Sequence, residues 1–460
     1  MFIKTITYNL TMTDHTQYLR IHLDLAEALG KYYINSTPVF QLGDLEMHVQ
    51  DVMAAAVLSA TNTYLVGTRG SGKTLLAETV WKAVMGSDAL YLRGSQDLDL
   101  KGLYTQLNLE GKSEEEIFQL SGRMSTPLVL VDELNRCIPI VQNQFLNIAD
   151  GYIEIRGKKY KLGMAGQDYL LMIATGNPPN NGEDGGVFDE GIALLDRIGL
   201  IINVNDYPLT ENDTATIKQR QINKNSIIEH DSKKDILSGH ALVRQFSSEM
   251  SHYFAILAAY IEKRFRHFTA GGKRYDKTQV ENWREMLQAG SHAKGDKLAF
   301  ASDISERALQ ESSLAEALLL YHYEFKAAEG ETALPPQILV DCYLETLMLA
   351  MRYNRRFLPA DHIREEHHGD AKEFLDKVKQ SLKSEINAEV LEECAGMNLA
   401  AEEALKEGKP QDLQEYKTYV ESKFGTDPIA ATTKRILEQK MKERLVSERK
   451  GKVRQLIRSG

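Results

Sequence analysis

The sequence predicts an α/β sandwich around a parallel sheet, followed by a second half made of helices. Five short apolar runs bounded by turn residues, at 63–66, 89–92, 128–131, 170–174 and 200–204, read as buried parallel strands. Segments with apolar residues three and four apart lie between them, and this alternation of periods marks a layered α/β domain. After about Pro208 the strand signals stop, while charged segments with helical spacing continue, as at 250–265, 305–328 and 336–353. At 460 residues the chain exceeds what one core usually organises, so more than one domain is expected.

Taken in order, the first strand ends at Val66 and runs into Gly67, Thr68, Arg69, Gly70, Ser71, Gly72, Lys73 and Thr74, which match G-x-x-x-x-G-K-[ST]. The glycines let backbone N–H groups turn toward phosphate oxygens, Lys73 reaches the β and γ oxygens, and Thr74 offers a hydroxyl to Mg²⁺. A helix is expected over 74–85, with Leu75, Leu76, Thr79, Val80 and Val84 in its pattern, stopping at Gly86.

The third strand runs into Asp132 and Glu133, two carboxylates at the end of a segment that otherwise excludes charge. Asp132 would hold Mg²⁺ through water, and Glu133 would take a proton from the water attacking the γ-phosphate. The fourth strand closes on Thr175, Gly176 and Asn177 before Pro178 and Pro179, which cannot extend a ladder. Asn177 is thereby offered to a ligand, and its amide could orient the lytic water; the plainer alternative is an Asn capping a turn before proline.

Leu194, Leu195, Asp196 and Arg197 end an apolar stretch just before the fifth strand. Arg197 would project from an edge of the domain, where a guanidinium can act on a nucleotide held by a neighbouring chain. A surface ion pair with Asp196 or Glu190 is the alternative. Further on, Ser302, Asp303, Ile304 and Ser305 supply helix-start chemistry for Arg307, which could reach a nucleotide or simply sit on a charged helix surface.

These features in this order resemble the AAA+ ATPases, and the wording of the segments resembles the MoxR family within them, over about residues 45–356. Asp132, Glu133, Leu134, Asn135 and Arg136, with Gln142 and Asn143 following, look like that family's Walker B region. Ala174, Thr175, Gly176, Asn177 and Pro178 look like its sensor 1, Leu195, Asp196 and Arg197 like its arginine finger, and residues 305–307 like its sensor 2. Tyr207 and Pro208, and the segment 93–103, also fit. Departures are Ile198 in place of the Phe usual after the finger arginine, a Gly-rich and acidic stretch at 182–188, and a long lid segment between Pro208 and Arg307.

The resemblance implies an AAA+ P-loop NTPase sandwich, an all-helical lid and a helical C-terminal region, divided as 1–44 (N-terminal helical segment), 45–208 (nucleotide-binding core), 209–356 (lid) and 357–460 (extension). It implies ATP and Mg²⁺ as cofactors, with Thr74 and Asp132 at the metal. It further implies a homo-oligomer, expected to be a hexameric ring, that hydrolyses ATP to remodel, assemble or activate a protein partner in chaperone-like fashion, including partners with a von Willebrand factor A domain.

Bulk properties bound the alternatives. No run approaches the ~18 uncharged apolar residues of a membrane helix, and Lys4, Asp14, His15 and Arg20 break any signal-peptide pattern, so a cytoplasmic protein is expected. Cys137, Cys342 and Cys394 suggest neither a disulfide framework nor a zinc site. A net charge of -10 counts against a general nucleic-acid footprint. The basic tail at 434–458 leaves a local one open, but Ile436, Leu437, Met441, Leu445 and Val446 at helical spacing favour a docking helix, and the tail has no aromatic residue for base stacking. A nucleic-acid-stimulated translocase or helicase, with a basic-tipped hairpin at 153–162 as one contact, is therefore a second reading. A nucleotide-dependent scaffold is a third. His362, His367 and His368 near Glu365, Glu366 and Asp370 fit no metal-ligand spacing and read as a solvated helical surface.

Overall fold

The structure is a computed structural model and describes residues 16–86, 89–107, 118–164, 167–177, 191–266, 304, 306–331, 333–354, 357–358, 360–409 and 411–459. The expected strands form one parallel sheet: β1 (Thr63–Val66), β2 (Ala89–Arg93), β3 (Leu128–Asp132), β4 (Leu171–Gly176) and β5 (Leu200–Asn203). Their spatial order is β5-β1-β4-β3-β2. Every residue of β1, β3, β4 and β5 is buried, which is why these strands are apolar on both faces. Strand β2 lies at one edge and alternates buried and exposed residues.

The helices that matter here are α1 (Gln17–Gly30), α2 (Val49–Ser59), α3 (Lys73–Thr79), α4 (Pro139–Ala149), α5 (Glu211–Arg220), α6 (Lys233–Arg266), α7 (Ser313–Ala328), α8 (Pro336–Met351), α9 (Ala371–Glu385), α10 (Ala388–Lys406), α11 (Asp412–Phe424) and α12 (Pro428–Ser459). Strand alternation divides the core in two. Leu65, Leu130, Ile173 and Ile202 point to the face packed by α1, α2, α6, α7 and α8, whereas Val66, Val131, Met172 and Ile201 point to the face packed by α4. The second edge strand, β5, is covered by α8, which explains its complete burial. The start of α12 docks on α6, α10 and α11 through buried Ile429 and Leu437, so the expected docking helix finds a seat on its own chain.

Three expectations change. The helix after the P-loop is α only over Lys73–Thr79 and then widens into a π-helical turn over Val80–Val84, closed by Met85 N–H donating to the Val80 carbonyl at 3.0 Å. Apolar spacing over so few residues does not separate the two windings; the wider turn carries Trp81 onto Tyr91, rings stacked 5.6 Å apart. The N-terminal segment is not helical throughout, since Phe40–Leu42 pairs with Leu45–Met47 in an antiparallel ribbon turning at Gly43, φ 64°. His367 is not solvated: it is buried edge-on against Phe374, 5.6 Å away, because the turn at His368 and Gly369 folds α9 back over it. Among the described residues no cluster of three or more His, Cys, Asp or Glu side chains is placed to hold a metal.

The hairpin expected at 153–162 is present as Tyr152–Ile155 paired with Lys158–Lys161. Its tip, Arg156 and Gly157, has φ of 52° and 75°, the pair of positive values that a two-residue turn needs to match strand twist. The feature noted at 182–188, and Pro178, Pro179, Glu190, Ser302, Asp303 and Ser305, lie outside the described residues. No described helix is long and apolar enough to cross a membrane.

Candidate active site

The site is built where β1, β4 and β3 end side by side. Gly67 N–H makes a last ladder bond to the Gly176 carbonyl at 3.3 Å, and a Cβ on Gly67 would stand 2.4 Å from Val204 Cγ2, so only glycine lets the loop leave the strand here. Gly70 and Gly72 then take φ of 80° and 91°, turning the chain into α3 at Lys73. Asn205, just beyond β5, braces the loop: its Oδ1 accepts from Thr68 N at 3.4 Å and from Thr68 Oγ1 at 3.2 Å.

Lys73 Nζ donates to the carbonyls of Gly67 (2.7 Å) and Thr68 (2.9 Å) and to Asn177 Oδ1 (3.1 Å). Burial lowers its pKa from the ordinary lysine value, and the charges of Asp132 and Glu133 oppose that shift. Thr74 Oγ1 donates to Asp132 Oδ1 at 3.1 Å. The same oxygen accepts from Thr175 Oγ1 at 2.7 Å, and Asp132 Oδ2 accepts from the Tyr91 hydroxyl at 3.0 Å. Thr175 Oγ1 in turn accepts from Glu133 N–H at 3.0 Å, so one threonine ties the two carboxylate residues to β4. Desolvation, then the adjacent Asp132 charge, pushes the Tyr91 phenol up to about 12, keeping it a proton donor.

Glu133 leaves β3 in the left-handed region, φ 58° and ψ 49°, an uncommon conformation for a side-chain-bearing residue. Its carboxylate lies 3.0 Å from Arg136 Nη2 and 3.7 Å from Arg93 Nε. The Asn177 carbonyl accepts from Asn135 Nδ2 at 2.9 Å, holding the end of β4 against the turn after β3.

Arg197 stands elsewhere. Its carbonyl accepts from Asn62 Nδ2 at 3.2 Å, and Asn62 precedes β1, so Arg197 is at the opposite end of that strand from the P-loop. Its Nε pairs with Asp150 at 2.9 Å, and not with the Asp196 named as one alternative; Asp196 instead accepts from Asn354 Nδ2 at 3.1 Å. Arg307, on the short helix Glu306–Gln310, also pairs with Asp150. The structure therefore groups Arg307 with Arg197 and away from Lys73, a position that helix pattern alone does not reveal.

Against known families, residues 62–197 match the model of the AAA domain, dynein-related subfamily. This segment is similar to AAA domains. The match opens just before β1 and closes on Arg197, so it takes in the P-loop, Asp132, Glu133 and Asn177. Among solved structures, a "putative ATPase" from Cytophaga hutchinsonii superposes with a TM-score of 0.51 at 16% identity, covering 81% of this chain and 96% of that one. The likeness is one of fold and extends beyond the AAA domain into the helical half. No curated protein sequence matches the chain.

Sequence reasoning did not single out Tyr91, Asn205 or Asp150. Tyr91 and Asn205 act through strand neighbours that only the sheet order brings together, and Asp150 through a helix end. Thr175 was visible inside the Ala174–Asn177 run, but without an assigned role.

Proposed function

We propose that this chain is a MoxR-like AAA+ ATPase that hydrolyses ATP to remodel, assemble or activate a partner protein. The observation that carries the reading is the convergence of Lys73, Thr74, Asp132 and Asn177, linked by hydrogen bonds of about 3 Å at the carboxyl ends of three adjacent strands of the AAA domain. In this reading the loop from Gly67 to Thr74 wraps the phosphates, with Lys73 on the β and γ oxygens. Asn177, already in contact with the Lys73 amine, orients the attacking water. Glu133 takes that water's proton, and the guanidinium of Arg136 sets the direction of its carboxylate.

The Thr74 hydroxyl and Asp132 carboxylate are hard oxygen donors on neighbouring strand and helix ends, a set that fits Mg²⁺ with water completing its shell. When bound, Mg²⁺ would neutralise charge developing on the phosphate oxygens. Arg197 serves a nucleotide on an adjacent copy, which makes activity depend on a ring, expected to be hexameric. Arg307, expected to reach a nucleotide, belongs with it on the basis of their shared carboxylate. The division into 45–208, 209–356 and 357–460 is part of the same proposal, as is partner choice by the segments outside the core.

The test is Glu133→Gln. It should bind ATP as wild type does, lose at least about 100-fold in kcat, and retain the partner in affinity capture with ATP present. Hydrolysis at the wild-type rate would falsify the base assignment. The net charge of -10 disfavours a translocase, for which single- or double-stranded DNA should stimulate turnover.

A further inference from the structure

Asp150 follows α4 as its C-cap and is engaged at both carboxylate oxygens, each by a different arginine. Oδ2 accepts from Arg197 Nε at 2.9 Å, and Oδ1 accepts from Arg307 Nη2. The two arginines come from segments more than a hundred residues apart in sequence, one before β5 and one on the short helix before α7. Asp150 is largely covered, with its side chain 17% exposed, while Arg307 remains 47% exposed.

The surrounding frame is rigid. Arg197 Nη1 donates to the Ala193 carbonyl at 2.7 Å, so two donor positions of its planar fork are held and the plane is set with them. Asn62 ties the backbone on both sides, with Nδ2 donating to the carbonyls of Ala149 (3.0 Å) and Arg197 (3.2 Å) and Oδ1 accepting from Met172 N–H at 3.1 Å. Two guanidiniums this close repel unless a charge lies between them. Asp150 supplies that charge on the inner side and leaves the outer side of the pair cationic.

We infer that Asp150 is a positioning residue that presents Arg197 and Arg307 together, as one paired cation, to the phosphates of a nucleotide held by a second copy of this chain. The inference rests on the reading that Arg197 acts across an interface. Asp150 touches no reacting atom; it acts by orienting the two residues that do. Loss of its charge lets the guanidiniums separate, which weakens turnover more than nucleotide binding, since the neighbour's P-loop still holds the substrate.

Mixtures of two variants test both levels. An acceptor chain carries Arg197→Ala with its P-loop intact, and a donor chain carries Lys73→Ala with its arginines intact. Mixed together they should hydrolyse ATP faster than either alone; no gain would sink the across-interface reading itself. Given that gain, Asp150→Asn in the donor should cut kcat by about tenfold with KM for ATP within about twofold. Placed in the acceptor instead, where the finger is already gone, it should change the mixed rate by less than about twofold. Asp150→Glu in the donor, which keeps the charge, should recover most of the loss. Unchanged rates from the donor-side Asn variant, or an equal loss from either placement, would overturn the role given to Asp150.

Discussion

At the scale of single residues, the site separates groups written into the sequence from groups that only the sheet brings in. The P-loop and the Asp132–Glu133 pair were legible because their pattern states residue type and spacing together, and because a charge at the end of an apolar strand is conspicuous. Tyr91 was not, since its bond to Asp132 depends on β2 lying beside β3 in one register. Tyr91→Phe removes the donor to Asp132 Oδ2 and leaves Thr74 and Thr175 on Oδ1. A hydrogen bond to a carboxylate is worth about 2 kcal/mol, and part of it is regained by water at this half-exposed position. The expected result is a rise of about threefold to tenfold in the Mg²⁺ concentration giving half-maximal ATPase rate, with an unchanged fold by circular dichroism. An identical Mg²⁺ dependence would remove Tyr91 from the site.

Among elements, strands buried on both faces were easy to read and helix ends were not. The four fully buried strands appear as unbroken apolar runs, whereas the π turn at Val80–Val84 and the burial of His367 follow from contacts across the fold that local pattern does not encode. Helix α1 packs on α7 through a similarly hidden arrangement. Leu19 N–H donates to Glu324 Oε2 at 2.7 Å, and the His22 ring stacks on Tyr321 with centroids 4.1 Å apart. His22 is fully buried and its ring nitrogens make no hydrogen bond to the described residues; desolvation lowers its pKa to about 3. The unfolded chain therefore binds one more proton than the folded one between about pH 6.5 and pH 3, and stability falls as pH drops through that window. Each pH unit should cost about 1.4 kcal/mol from this group. His22→Phe keeps a ring against Tyr321 and removes the titration. Between pH 6.5 and 4.5 the wild type should lose about 2 kcal/mol relative to the variant in urea unfolding, and parallel losses would refute the assignment.

Over the whole molecule, the two halves of the proposed chemistry lie at opposite ends of β1, a separation that the proposed reading closes by association of copies. Lys73, Asp132 and Asn177 sit where β1 ends, and Arg197 and Arg307 meet on Asp150 at the side where it begins. The first group was readable from motif order; the placement of Arg307 was not, because its lead-in segment carries only generic helix-start chemistry. A chain whose nucleotide and arginines belong to different interfaces cannot complete a site alone, so specific activity should depend on protein concentration. Wild-type rate per chain should rise steeply as dilution is reversed and then level off, in step with the oligomer fraction from sedimentation. Arg197→Ala should assemble at similar concentrations and still show a rate lowered by at least about 100-fold at the plateau, since the guanidinium acts on developing charge and not on ring contacts. A rate per chain that stays constant from the dilute monomer to the assembled state would mean that each chain holds a complete site, and the proposed division of labour would fail.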